Sequence, residues 1–285
     1  MTPAEIQARY RRDGLVIVKR AFSPAEIEEL RARVASIPEA QRKGDVLSCA
    51  PLRSVLFDPR VIDPVKAILG PRVLYFGDST IRWETTDGTR SFHRDSELDE
   101  VDPATTEYPV IRVGLYLQDH ARHGGGLKVR VGSYKHVFLG RRNFKRLFVG
   151  DKDGRLSFSS FRLGRAVNLP IEAGDLLLWN MRTWHSGYAV RLKHFPGLCL
   201  NPRLERFVPK SWMSPEIKPR GALFMAFAAP SAASETYIRT RVERPENVEH
   251  WKHCSFDEPA LEKQCAEAGL ELRRDGLQWD GRRTL

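Results

Sequence analysis

Apolar positions recur at helical spacing in the first seventy residues and in the tail, and the pattern between them changes to that of strands. Ile6 and Tyr10, four apart behind Thr2-Pro3, predict a helix over residues 3–12, with Thr2 as N-cap and Pro3 at the first helical position. Asp13-Gly14 turns the chain into Leu15-Val16-Ile17-Val18, a short β-branched strand. Ser23-Pro24 opens a second helix. Its apolar stripe is Ile27, Leu30 and Val34, and Glu26 stands where it completes a capping box with Ser23. A third helix is expected over 61–69, stopping before Gly70-Pro71.

From residue 72 onward the segments are short, rich in strand formers and separated by glycine turns. Arg72 to Trp83 predicts a strand, with Asp87-Gly88 as its turn. Val110 to Leu117 is the clearest strand of the chain, and His123-Gly124-Gly125-Gly126 turns it into Leu127–Val131. A polar, basic stretch then predicts no element. Glu172-Ala173-Gly174-Asp175 is a tight turn into Leu176–Asn180, a buried strand that delivers Trp184-His185. Leu198-Cys199-Leu200 is a possible strand and Gly221–Ala228 a further one, with helical pieces expected around Val248–Trp251 and Pro259–Ala268. Many short strands flanked by helices predict a mainly β fold, a double-stranded β-helix (jelly roll, cupin-like).

Composition narrows the function classes. The formal net charge is +10, but the basic residues are dispersed, with the densest group at Arg141, Arg142, Lys145 and Arg146. No aromatics alternate with them as single-strand nucleic-acid binding requires. A solvated basic face follows, and an anionic small substrate is favoured over an apolar one. Cys49, Cys199, Cys254 and Cys265 show no metal or disulfide spacing, so reduced thiols are expected. The charged N-terminus lacks the apolar core of a signal peptide, and no apolar run approaches the ~18 residues of a membrane span. A cytoplasmic protein that engages neither membrane nor nucleic acid is expected.

Candidate chemistry centres on Ser91-Phe92-His93-Arg94-Asp95-Ser96. In extended chain, residues two apart point to the same side, so His93 and Asp95 can offer an imidazole nitrogen and a carboxylate oxygen together. Those are two of the three ligands of a 2-His-1-carboxylate iron site. Alone, the spacing also fits a surface turn with a solvated Asp. His185, at the end of a buried strand, is the third candidate; a core histidine bonded to a carbonyl is the alternative. His120 and His123 in a hairpin loop, His136 after a Gly-Ser turn, His194 beside a Pro-Gly break, and His250 and His253 in the tail are expected to be solvated.

Over most of its length the chain resembles the phytanoyl-CoA dioxygenase-like branch of the Fe(II)/2-oxoglutarate-dependent oxygenases. The opening Arg12–Val18 with Phe22–Leu30 is similar to that family's first strand and helix, and His93-Arg94-Asp95 to its H-x-D motif. Leu115–Asp119, Gly125–Val129 and Gly132-Ser133 resemble the segment between the metal ligands, and Gly174–Leu178 with His185-Ser186-Gly187 the strand of the distal histidine. In its P-G-S-H segment the family's proline and histidine are here Val131 and Tyr134. The resemblance implies Fe(II) held by His93, Asp95 and His185, with 2-oxoglutarate and O2 as co-substrates. It also implies an arginine for the distal carboxylate of 2-oxoglutarate, usually about ten residues past the distal histidine, where this chain has Phe195-Pro196. Arg220 is favoured, with an insertion near 188–219; Arg191 is the runner-up and Arg203 the third choice.

The domain layout then expected is one oxygenase domain over 1–285, with helical support over 1–70, a core over 71–230 and a helical tail over 231–285. The implied reaction oxidises an unactivated C–H bond of a small-molecule metabolite, releasing succinate and CO2. Related halogenases lack the carboxylate at the Asp95 position, so its presence here implies hydroxylation, desaturation or ring closure. A cupin-like metal-dependent isomerase or hydrolase without 2-oxoglutarate is the alternative, and a binding module without catalysis a weaker one. Tyr75, Asp78, Thr80, Arg82, Trp83, Arg112, Tyr116 and Gln118 are candidate cavity-lining residues.

Overall fold

The computed structural model describes residues 1–85, 91–96, 108–135, 166–242, 254 and 260–273. The Asp87-Gly88 turn, His136, the basic group at Arg141–Arg146, the Val248–Trp251 helix with His250 and His253, and all but the two ends of the acidic loop Ser96–Tyr108 lie outside those residues.

Helix α1 (Pro3–Asp13) has Thr2 as its expected N-cap and, beyond the expectation, a capping box with Glu5; α2 (Pro24–Ser36), which follows strand β1 (Leu15–Val18), carries the expected box between Ser23 and Glu26. Each side chain satisfies an amide at the helix start, worth roughly 1 kcal/mol per cap. Helices α3 (Glu39–Arg42), α4 (Ala50–Phe57) and α5 (Pro59–Leu69) complete the first layer. The single strand expected over 72–83 is two, β2 (Val73–Tyr75) and β3 (Ser79–Glu84), broken at Gly77 with φ +71°. Then come β4 (Val110–Tyr116), β5 (Gly126–Arg130), β6 (Ala166–Asn168), β7 (Leu176–Asn180) and β8 (His185–Ala189). A short helix α6 (Pro202–Glu205) lies between β8 and β9 (Arg220–Ala228), and α7 (Ala232–Val242), α8 (Ala260–Glu267) and β10 (Leu270–Leu272) follow. Leu198–Leu200 forms no strand.

The large sheet runs β1-β7-β4-β9-β2-β10, with β3 also paired to β9; the small sheet runs β6-β5-β8. Alternation decides what each strand shows to each side. Ile111, Val113, Leu115, Leu176, Leu178, Leu223, Met225 and Phe227 pack against the helices in the main core. Tyr116, Leu177, Trp179 and Ala222 face the other way, against Leu127 and Val129 of the small sheet. The space between the two sheets is therefore lined by the second set. Tyr75 and Trp83, expected in the cavity, pack instead in the helix-side core with Val73 and Ile81, because the odd positions of β2 and β3 face the helices and the even ones, among them Leu74 and, just past β2, Phe76, face the other way.

Gly114 faces the inter-sheet space for a steric reason. A Cβ there would stand 2.9 Å from the Phe224 ring and 3.2 Å from that of Trp179, which close over it edge-to-face with centroids 6.0 Å apart. Past β8, the segment to residue 219 crosses the outside of the small sheet. Lys128 is fully buried there and pairs with Glu205 of α6 and the Leu200 carbonyl. Among the described residues no helix is long and apolar enough to cross a membrane.

Candidate metal centre

His93 and His185 meet across the mouth of the small sheet. They form an antiparallel bridge, with the His93 amide donating to the His185 carbonyl at 2.8 Å and the reverse bond at 3.0 Å. The bridge puts both side chains on the same side, and the rings lie 4.3 Å apart. His185 begins β8 rather than ending the preceding strand; a turn through Met181–Trp184 intervenes. Asp95 is anchored by its amide on the Met181 carbonyl at 3.0 Å, which turns its carboxylate back so that Oδ1 lies 3.6 Å from His185 Nε2. One ligand atom from each of His93, Asp95 and His185 lies within 4.8 Å of the others.

The hydrogen bonds around the histidines select the donor atoms. His93 Nδ1 lies 3.1 Å from the Ser91 carbonyl and His185 Nδ1 lies 3.0 Å from that of Thr183. A carbonyl only accepts, so Nδ1 of each ring carries the hydrogen and Nε2 keeps its lone pair. The carbonyl partner expected for a core histidine is present at His185, but it satisfies one nitrogen and leaves the other directed at Asp95. Burial pushes the His185 imidazole down, with His93 and Arg112 adding to the effect against Asp95, so the ring is neutral and free to ligate. Burial alone would raise Asp95, yet His185, Arg112 and His93 hold it below the usual carboxylate range. Two imidazoles and a carboxylate converging at this distance fit a divalent iron with open positions.

The two carboxylate oxygens of Asp95 differ in their surroundings. Oδ2 accepts from the Trp179 indole Nε1 at 3.2 Å and faces Arg112 Nε at 3.7 Å, whereas Oδ1 faces His185. Trp179 was not legible as a site residue, because β7 reads as an unbroken apolar run with no visible facing.

Arg220, the first residue of β9, is 6% exposed. One arm pairs with Glu84 at 3.3 Å, its plane lies 4.2 Å from the Tyr188 ring, and its Nε, though buried, has no partner. The buried Tyr116 hydroxyl is likewise without a partner. That phenol feels both the Arg220 guanidinium and the Asp95 carboxylate, and burial pushes it up to about 12, so it stays a proton donor. The orphaned Arg220 Nε and Tyr116 hydroxyl are two buried donors that fit a bound dicarboxylate. Arg191 lies in the segment covering the small sheet, tied there by its carbonyl to the Ser214 amide at 2.8 Å, and Arg203 lies on α6.

His120 is 3% exposed, against the expectation of a solvated loop residue. Its Nδ1 bonds the Gly124 carbonyl at 3.1 Å and its Nε2 accepts from the Gln118 side-chain amide at 2.9 Å. Gln118 Oε1 in turn accepts from the Gly221 amide at 2.7 Å, which fixes the start of β9 beside Arg220. His194 is exposed as expected, and His123 is half-buried. Tyr134, standing where the resemblance has a histidine, is buried against α1, with its hydroxyl on the Arg11 carbonyl, so it takes nothing from the ligand set.

A family model described as phytanoyl-CoA dioxygenase (PhyH) matches residues 10–194. Among solved structures, EctD from S. alaskensis in its apoform is 16% identical over 80% of this chain and 77% of that one, with a TM-score of 0.53. HygX from Streptomyces hygroscopicus with iron bound is 17% identical over 80% and 87%, with a TM-score of 0.52. The same protein with nickel and 2-oxoglutarate bound gives 15% and 0.50 over the same shares. At such identities the likeness is one of fold. Among curated proteins no sequence match reaches significance.

Proposed function

This chain belongs to the phytanoyl-CoA dioxygenase family of non-haem iron, 2-oxoglutarate-dependent oxygenases, and from that premise we propose that it oxidises an unactivated C–H bond of a small-molecule metabolite, releasing succinate and CO2. Bound Fe(II), 2-oxoglutarate and O2 together supply the oxidising power. The protein's own tasks are ligation, orientation and exclusion of water. His93 and His185 would ligate through Nε2 and Asp95 through Oδ1. Arg220 and the Tyr116 hydroxyl would take the distal carboxylate of 2-oxoglutarate, a role for which a guanidinium fork is better shaped than an ammonium. The Phe224 and Trp179 rings over Gly114 form an apolar wall that keeps water from the inter-sheet space. The formal net charge of +10 favours an anionic substrate, and residues 1–285 are taken as one oxygenase domain.

The observation that carries this function is the meeting of three ligand atoms within 4.8 Å with both imidazole Nδ1 atoms already committed to carbonyls. The test is anaerobic titration of the Fe(II)-loaded protein with 2-oxoglutarate, followed by visible absorption. A weak charge-transfer band should grow to saturation with one equivalent. Folded protein that binds Fe(II) but never develops the band would overturn the co-substrate assignment in favour of an isomerase or hydrolase.

Loss of Arg220 in Arg220→Gln should weaken 2-oxoglutarate binding by about 10- to 150-fold, the equivalent of roughly 1.5–3 kcal/mol for hydrogen bonds to a charged group. Arg191→Gln should leave binding unchanged. The opposite ranking would move the carboxylate site to the segment over the small sheet.

A further inference from the structure

Asp95 is served from behind by a chain of buried charges that runs to the C-terminal part of the protein. Arg112 on β4 stands between two carboxylates: its NH1 lies 3.1 Å from Asp78 Oδ1 and its Nε lies 3.7 Å from Asp95 Oδ2. Asp78 Oδ1 also accepts from Arg241 NH2 at 3.0 Å, and Asp78 Oδ2 accepts from the Tyr237 hydroxyl at 3.1 Å, both partners being on α7. Asp78 and Arg112 are 6% and 7% exposed. Two guanidinium and two carboxylate charges balance, so the cluster can stay ionised away from water.

The cluster contacts only one of the two Asp95 oxygens. Trp179 Nε1 and Arg112 Nε both address Oδ2, from one side, and leave Oδ1 facing His185. A carboxylate left to rotate can present either oxygen to a metal, or both at once. With Oδ2 held, rotation is blocked and a single oxygen is offered.

We propose that Arg112 and Trp179 are positioning residues that lock Asp95 as a one-oxygen ligand, and that α7, through Arg241 and Tyr237, holds Arg112 in register through Asp78. This rests on His93, Asp95 and His185 being the metal ligands. It adds that α7, which lies beyond residues 10–194 matched by the family model, is part of the metal site's support. Outer partners of metal ligands typically change metal affinity by about 10- to 100-fold when removed.

The probe is the metal alone: apo-protein titrated with Co(II), read by calorimetry and by the d–d absorption that reports coordination number. Trp179→Phe and Arg112→Met should each weaken Co(II) binding by about 10- to 100-fold and change the band shape, as Asp95 swings to offer both oxygens. Arg112→Lys should restore part of the affinity. Arg241→Met, which touches no ligand, should move affinity in the same direction by a smaller factor. If Arg112→Met does not fold, Asp78→Asn/Arg112→Gln removes one charge of each sign and takes its place. Wild-type affinity and band shape in folded Trp179→Phe and in the folded Arg112 variant would overturn the positioning role, while the wild type still binding metal would leave the proposed function standing. A wild type that binds no Co(II) would overturn both.

Discussion

Gly174 shows how much one residue can decide. It has φ +88°, and a Cβ on it would stand 2.2 Å from the Phe22 carbonyl oxygen, whose residue donates its own amide to the Gly174 carbonyl at 3.1 Å. Gly174→Ala should cost more than about 1 kcal/mol, from strain and from the forced separation of the β1–α2 corner, seen as a lower urea midpoint. The turn at Glu172–Asp175 was legible because Gly and Asp have intrinsic turn preferences. His120 was not, since its loop carries no hydrophobic pattern to announce that the ring folds inward. Burial pushes its imidazole down from 6.5 to about 4. The unfolded chain therefore takes up a proton below pH ~6.5 that the folded one refuses until about 4, and stability falls as pH drops through that window. The loss amounts to roughly 3 kcal/mol. His120→Asn, which cannot titrate, should show a correspondingly shallower fall between pH 7 and 4.5 in urea denaturation; parallel curves for the two proteins would refute it.

For whole elements, existence was easier to read than facing. The capped helices and strands β1, β4, β7 and β9 follow from local pattern, because each has its own periodicity and stop signals. Which of its two faces a strand shows to the cavity depends on what packs against it, and alternation alone gives two sets without saying which is which; Tyr75 and Trp83 belong to the helix-side set, whereas Tyr116 faces the small sheet. The order and spacing of His93, Asp95 and His185 were legible because ligand chemistry restricts residue types. The Lys128–Glu205 pair was not, since two charges distant in sequence give no signal that they will be buried together. That pair pins α6 to the outer face of the small sheet, and Glu205 also accepts from the Val190 amide at 3.0 Å. Glu205→Gln leaves the Lys128 ammonium buried opposite a neutral group and should cost about 3–5 kcal/mol, whereas Lys128→Met/Glu205→Leu should recover most of it. Limited proteolysis between residues 191 and 219 would read the loosening directly.

For the molecule as a whole, the candidate metal centre adjoins a space between two sheets, the large one backed by α1–α5 and the small one by the segment around α6. The tail was anticipated as helical pieces, and α8 meets that expectation, but α7 reaching in to Asp78 and the closing strand β10 were not. Neither could be inferred from a short tail with weak periodicity, since both depend on tertiary partners. Strand β10 pairs in parallel with β2, Leu270 opposite Val73 and Leu272 opposite Tyr75, and α8 seals Leu261 and Cys265 beneath it. Without residues 260–273, the amides and carbonyls along Val73–Tyr75 would be left as an open rim of a mostly apolar sheet. Such a rim recruits the same rim of another molecule, so the shortened protein should scatter light and sediment as higher oligomers where the full chain does not. Pairing with β10 moves the rim of the sheet from the wholly buried Val73–Tyr75 stretch to Leu270–Leu272, where an exposed carboxylate, Glu271, stands at the centre.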